Sequence, residues 1–173
     1  SQERSGVPSR EGCLMAIVLL RVDERLIHGQ VVVGWGGHLR PDRYVVVDGG
    51  LAESEWEQEL YALGVPEGVD VEFLAPAEAR EKLPGWRKSE LRSVLLARNL
   101  ETVLELSEGG ALMGEHLNLG GLHLRTGREE VLPYLFLDES DRKTLMQLSE
   151  GGMEISAQDL PGSPKVSLPA LLG

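Results

Sequence analysis

The chain holds one cysteine, Cys13, among 173 residues. A single thiol excludes an intrachain disulfide and a cysteine-rich zinc site, and it suits a reducing cytoplasm. Aromatic residues make up only 5%, so valine, leucine and alanine must fill most of the core. Basic residues are outnumbered: 17 Lys and Arg face 28 Asp and Glu, for a net charge of −11. Such a chain repels phosphate backbones unless its arginines gather on one face, which argues against nucleic-acid binding. Long apolar runs are missing as well. The longest, "LMAIVLL" (14–20), falls far short of the roughly 20 residues a bilayer span needs. Charged "RVDER" follows where a secretory signal would place small residues, so no signal peptide is read here.

Several motifs are absent too. Neither "GWGG" (34–37) nor "LGGL" (119–122) carries the Lys-Ser/Thr ending of a P-loop, and no G-x-G-x-x-G or G-x-S-x-G occurs. The four histidines, His28, His38, His116 and His123, lack the H-x-x-x-H spacing. No cofactor and no metal are therefore expected, and a hydrolase or nucleotide-using enzyme has no motif behind it.

What is present is a repeating rhythm. Apolar, β-branched runs at 16–22, 43–48, 69–74 and 93–98 predict strands. Between them, 29–39, 52–63, 76–83 and 100–110 predict helices; in the second, Trp56, Leu60 and Leu63 fall at i, i+4 and i+7, the spacing of a core-facing stripe. Gly34, Gly36 and Gly37 weaken the first helix by about 1 kcal/mol each relative to alanine. Further along, 115–122 predicts a short strand with a Gly turn. The Pro133-containing 131–137 predicts an edge or irregular strand. Residues 138–152 predict a helix capped by Asp138, and 153–160 an outer strand. The sum is one α/β domain over 15–173 with a mostly parallel central sheet flanked by helices and an antiparallel edge element. Residues 1–14 are polar and aperiodic and are expected to form a flexible N-terminal extension, with Met15 as a natural start.

In such sheets ligands bind beyond the carboxyl ends of the strands. His28 falls there after the first strand, Asp48 after the second and Asn99 after the fourth. A neutral imidazole is a nucleophile near pH 7 and can accept a phosphoryl group as a labile N–P bond. The product carries about two negative charges near neutral pH. Arg21 and Arg25 can offer forked donors to it, Gly29 close backbone approach, and a helix starting near His28 free N–H groups. Asp23 or Glu24 can orient an arginine or the ring. His38 suits a helix end, and His116 and His123 read as structural or exposed.

The segment "RVDERLIHGQV", Arg21 to Val31, resembles the R-[IV]-D-[DE]-R-L-I-H-G-Q-V signature of the mannose/fructose/sorbose family of phosphotransferase-system (PTS) enzyme IIB subunits. Trp35 falls at the family's spacing. "RYVVVD", "SVLLARNLETVLELSEGG", "LNLGGL" and "GREEV" are similar to further family segments, so the resemblance covers Met15 to about Leu172. It implies a cytoplasmic phosphotransferase, peripheral to the inner membrane through its partners. His28 would accept phosphoryl, by Nδ1, from a IIA partner and pass it to a sugar bound by membrane IIC/IID partners. Arg25 would cradle the phosphate, with Arg21, Asp23, Gly29 and Gln30 completing the loop. "ARN" (97–99) departs from the Phe-Thr-Asn or Phe-Lys-Asn of many members; Ala97 removes an aromatic wall and Arg98 changes the local charge. The alternative is a regulatory module that signals its phosphorylation state without serving a transporter.

Overall fold

The computed structural model describes residues 16–173; the expectation for residues 1–14 lies outside them. Strands β1 (Ile17–Val22), β2 (Arg43–Val47), β3 (Asp70–Leu74), β4 (Ser93–Ala97), β5 (His116–Leu119) and β8 (Glu154–Ala157) lie parallel. The two-residue β9 (Val166–Ser167) pairs antiparallel with β8 and forms the edge, giving the order β3-β2-β4-β1-β5-β8-β9. The expected sheet and its antiparallel edge are both there, but 153–160 supplies the strand next to the edge rather than the outermost one.

Burial on both faces explains the near-continuous apolar strands. Alternate residues serve separate cores: Val45, Val47, Leu95 and Ala97 face one side, Tyr44, Val46, Val94 and Leu96 the other. The first side is covered by α3 (Pro76–Lys88), α4 (Leu100–Leu106), α5 (Glu139–Glu150) and α6 (Leu168–Leu172). The second is covered by the segment after His28. This segment starts as a π-helical stretch, Gln30–Trp35, and continues as a short α-helix, Gly36–Leu39 (together α1). Val31 and Trp35 are its buried contacts.

Three expectations need correction. Residues 131–137 form not one strand but a hairpin, β6 (Glu129–Leu132) and β7 (Leu135–Leu137), outside the main sheet. Pro133 cannot continue a ladder, and it sits at the turn. The helix predicted at 76–83 runs on through Pro84 to Lys88, because Leu83 and Trp86 are both buried on the same core. The helix predicted at 52–63 opens as a single 3₁₀ turn, and its α-helical part, α2 (Glu55–Ala62), buries no residue at all. Trp56, Leu60 and Leu63 face solvent instead of the core. The cap at Asp138 is as expected. Its side chain accepts from Asp141 N at 2.7 Å, and Asp141 reciprocates at 2.9 Å.

One charged cluster holds the segment after β5 against the loop after β1. Glu24 accepts from the backbone N–H of His123 (3.0 Å), Arg125 Nη2 (2.7 Å) and Arg128 Nη1 (3.0 Å). Arg128 also reaches Asp141 at the start of α5 (3.1 Å). Burial alone would raise the Glu24 carboxyl; these donors outweigh it and hold it below its ordinary value.

Two outcomes follow from these contacts. A Cβ on Gly37 meets nothing within 4 Å, whereas one on Gly36 would lie 2.6 Å from the buried Tyr44 hydroxyl. Gly37→Ala is expected to raise stability by about 0.5–1 kcal/mol and Gly36→Ala to lower it, as measured by urea unfolding. Because the Glu24 carboxyl is lowered by folding, its contribution is complete well above the ordinary glutamate value of about 4.3 and fades as pH falls through that value toward the lower folded one. The stability gap between the native chain and Glu24→Gln should therefore narrow between pH 5.5 and pH 3. A constant gap would mean that the charge does not hold the segment.

Candidate phosphoryl-acceptor site

The site is built on the carboxyl end of β1. At Val22 the strand ends, and Asp23 N donates to Ala97 O of β4 (2.9 Å) while Glu24 N donates to Gly121 O beyond β5 (2.9 Å). The loop then reverses through Leu26, which adopts a left-handed backbone with φ of 57°. This conformation costs a non-glycine residue roughly 1–2 kcal/mol. It is tolerated because Leu26 and Ile27 are both buried in the second core and anchor the loop. His28 follows at the lip, its side chain 16% exposed.

Asp23 is the centre of the arrangement. Its wholly buried carboxylate meets Arg21 Nη2 (3.2 Å), Arg25 Nε and Nη2 (3.1 and 3.2 Å), and the backbone N–H groups of Arg25 (3.0 Å) and Gly121 (3.2 Å). Oδ2 also lies 3.3 Å from His28 Nε2. That nitrogen is buried and makes no well-aligned hydrogen bond among the described residues, so the contact fixes which ring edge faces inward. Burial would raise the Asp23 carboxyl. The neighbouring imidazole, the Arg25 guanidinium and the two amides more than offset it and keep Asp23 well below the usual carboxylate range. With Nε2 turned inward, Nδ1 has no hydrogen-bond partner among the described residues.

The expected phosphate ligands divide. Arg25 stands at the lip with its side chain 37% exposed. Its Nε and Nη2 are spent on Asp23, and Nη2 also donates to Gln30 Oε1 (2.8 Å). Nη1 keeps its donors free among the described residues. Gln30 therefore braces Arg25. The amides of Gly29 and Gln30 have no backbone acceptor among the described residues, since the carbonyl of His28 takes Val31 N and Val32 N instead. Gly29 has φ of −52° and open space where a Cβ would stand. The fold thus does not demand glycine there; the requirement, if any, comes from what approaches.

Arg21 needs correction. It was expected to hold phosphate, yet its side chain is wholly buried. Nη1 donates to Asn118 Oδ1 and to Gln158 O (2.8 Å), Nη2 to Asp23 and to Asp159 O (3.2 Å). The guanidinium lies 5.4 Å from the Trp35 ring centroid. No donor of Arg21 faces solvent, because β5 and the chain after β8 close over it; it acts on the site through Asp23. Asp48 and Asn99 sit at the carboxyl edge as expected, but each serves a helix or turn. Asp48 accepts from Leu51 N (3.0 Å) and lies 3.2 Å from Arg98 Nε; Asn99 caps α4 by accepting from Thr102 N (2.8 Å). Neither touches the Asp23 cluster among the described residues.

Sequence reasoning missed the chemistry of "LNLGGL". Asn118 is the direct register partner of Arg21. Any Cβ on Gly120 would collide with the Arg21 guanidinium, and Gly121 supplies an amide to Asp23. The signal was an isolated polar residue in an apolar strand followed by two glycines, which makes sense only once β5 is known to lie beside β1. His123, expected to be structural or exposed, pairs with Glu24 (3.0 Å), and its Nε2 stands 3.4 Å from where a Gly121 Cβ would be, the same spot Arg25 approaches at 3.3 Å.

The family model described as PTS system sorbose subfamily IIB component matches residues 17–173. The chain is 31% identical over 157 residues to the N-acetylgalactosamine-specific phosphotransferase enzyme IIB component 2 of Escherichia coli K12, covering 90% of this chain and 98% of that protein. It is 29% identical to the mannose-specific EIIAB component of the same organism, covering 91% of this chain but 49% of the relative. The crystal structure of the N-acetylgalactosamine-specific IIB component 1 from Escherichia coli superposes with a TM-score of 0.80 at 28% identity, over 87% of this chain and 98% of that one. With the parallel sheet and the lip of β1 already described, the full-length match has one reading: the chain belongs to the sorbose subfamily of PTS IIB components.

Proposed function

We propose that His28 accepts a phosphoryl group on Nδ1 from a IIA donor and passes it to a sugar held by IIC/IID membrane partners, with the subunit working in the cytoplasm. The observation that carries this is the Asp23–His28 pair: a buried carboxylate 3.3 Å from Nε2 leaves Nδ1 as the outward nucleophile. A carboxylate at that position favours the tautomer with the proton on Nε2 and the lone pair on Nδ1. In the transfer, the N–P bond of the donor breaks as the Nδ1–P bond forms. No proton need leave the ring. The positive charge that develops on the imidazole is met by Asp23.

The phosphoryl oxygens meet Arg25 Nη1 and the amides at the start of α1. Arg25 keeps Nη1 free among the described residues and is partly exposed, so it offers a cationic donor at the lip of an otherwise acidic protein. The match to half of a mannose-specific EIIAB chain supports a IIA donor. No helix among the described residues is long and apolar enough to cross a membrane.

Incubation with a phosphorylated IIA protein, followed by phosphorus NMR, tests the assignment. The native chain should show an Nδ1 phosphohistidine and His28→Ala none; full labelling of the variant would move the acceptor elsewhere. Arg25→Ala should slow transfer on the order of a hundredfold by removing transition-state donors. An unchanged rate in stopped-flow transfer would remove Arg25 from the reaction.

A further inference from the structure

Helix α2 carries its apolar stripe on the wrong side for a core. Trp56 is 66%, Leu60 57% and Leu63 83% exposed, although their spacing is that of a buried face. With Ile27, Tyr61 and Gly64, Trp56 and Leu60 line a groove of about 370 Å³. Ile27 is the residue immediately before His28, so whatever fills the groove stands beside the proposed acceptor. The rim is acidic: Glu53, Glu55, Glu57 and Glu59 surround Trp56, and none pairs with a cation among the described residues.

We infer that this groove is the docking surface for the membrane partner, and that it receives an apolar side chain on a cytoplasmic loop flanked by Lys or Arg. The inference rests on the transport reading above. Two charge arguments select this occupant over the phosphoryl donor. The donor brings an anionic phosphoryl group, which four glutamates repel and which the partly exposed Arg25 and the exposed Arg125 attract. Cytoplasmic loops of membrane proteins carry an excess of Lys and Arg, which those glutamates complement. A chain of net charge −11 is also repelled by an anionic leaflet. Its approach to the membrane therefore needs local basic contacts of this kind. An exposed tryptophan with a polar rim around it is the side chain most typical of a protein–protein hot spot, and Leu60 extends its apolar surface. The arginines of the β1 loop thus serve the incoming phosphoryl group, and the acidic, apolar groove on α2 serves the partner that consumes it.

The test uses the full chain, a phosphorylated IIA donor, and inside-out vesicles with or without the cognate permease. The double variant Trp56→Ala/Leu60→Ala removes only exposed side chains, and its melting curve checks the fold. It should sediment with permease vesicles at least roughly tenfold more weakly than the native chain while its labelling by the donor stays within about twofold. Glu55→Gln/Glu59→Gln should weaken the same binding and flatten its dependence on salt. Native-like sedimentation of Trp56→Ala/Leu60→Ala would overturn the inference and leave the transport reading standing. Loss of donor labelling with vesicle binding intact would overturn it in favour of the donor. If the native chain ignores the permease vesicles, the transport reading falls and the inference falls with it.

Discussion

A single buried carboxylate, that of Asp23, holds the site together. It lies under two arginines, two backbone amides and one imidazole, and each of these is correctly placed only because the others are. Burying charges costs several kcal/mol per ion unless they are paired and fully hydrogen-bonded. The Arg21 end of the cluster comes close to that condition: Nη1 and Nη2 donate to Asn118, Gln158 O, Asp23 and Asp159 O, the Trp35 face lies beside the guanidinium, and only Nε is left without a partner among the described residues. The Arg25 end meets it through Gln30 and partial exposure to water. Removing Arg21 alone would leave the wholly buried Asp23 without one of its charge partners, at a cost of roughly 3–5 kcal/mol for a broken buried pair. The cluster therefore sets the shape of the β1 loop as well as its charge.

This dependence explains features far apart in sequence. Gly120 is small because a guanidinium occupies the space beside it. Trp35 anchors α1 to the chain after β8 through Nε1 and Asp159 O at 3.0 Å, and its ring lies under Arg21. Leu26 adopts a strained backbone because the loop must turn sharply while burying two apolar side chains. The strain is met by burial: fully covering a leucine side chain is worth about 1.5–3 kcal/mol, comparable to the left-handed penalty. A histidine delivered by such a loop is held by backbone and ions together, which limits the reorganisation needed when charge arrives.

The chain also separates its charges. On the β1 loop and the segment after β5, Arg25, Arg125 and Arg128 are paired with Asp23, Glu24 and Asp141, while the exposed rim of α2 is glutamate without a paired cation among the described residues. Net charge alone hides this division. Such a division lets one acidic chain attract an anionic group at one surface and a basic segment at another.

Much of this was legible in the primary structure. The strand runs are continuous and β-branched, so the parallel sheet and the helix cap at Asp138 follow from local pattern, as does the placing of His28 and Arg25 after the first strand; the two-residue edge strand β9 is too short to leave such a pattern. Local pattern could not decide which side of a helix meets the core. The spacing of Trp56, Leu60 and Leu63 is the same whether the stripe faces inward or outward, and only the packing of α2 chose outward. Nor could it separate Arg21 from Arg25: both flank Asp23 by two residues, but the strand buries one guanidinium and the loop exposes the other. Proximity in sequence identified the loop and its chemistry. The partners that fix its charges, Asn118, Gly120, Gly121, Gln158 and Asp159, come from neighbouring strand ends about a hundred or more residues away, and long-range pairing alone brings them to one carboxylate.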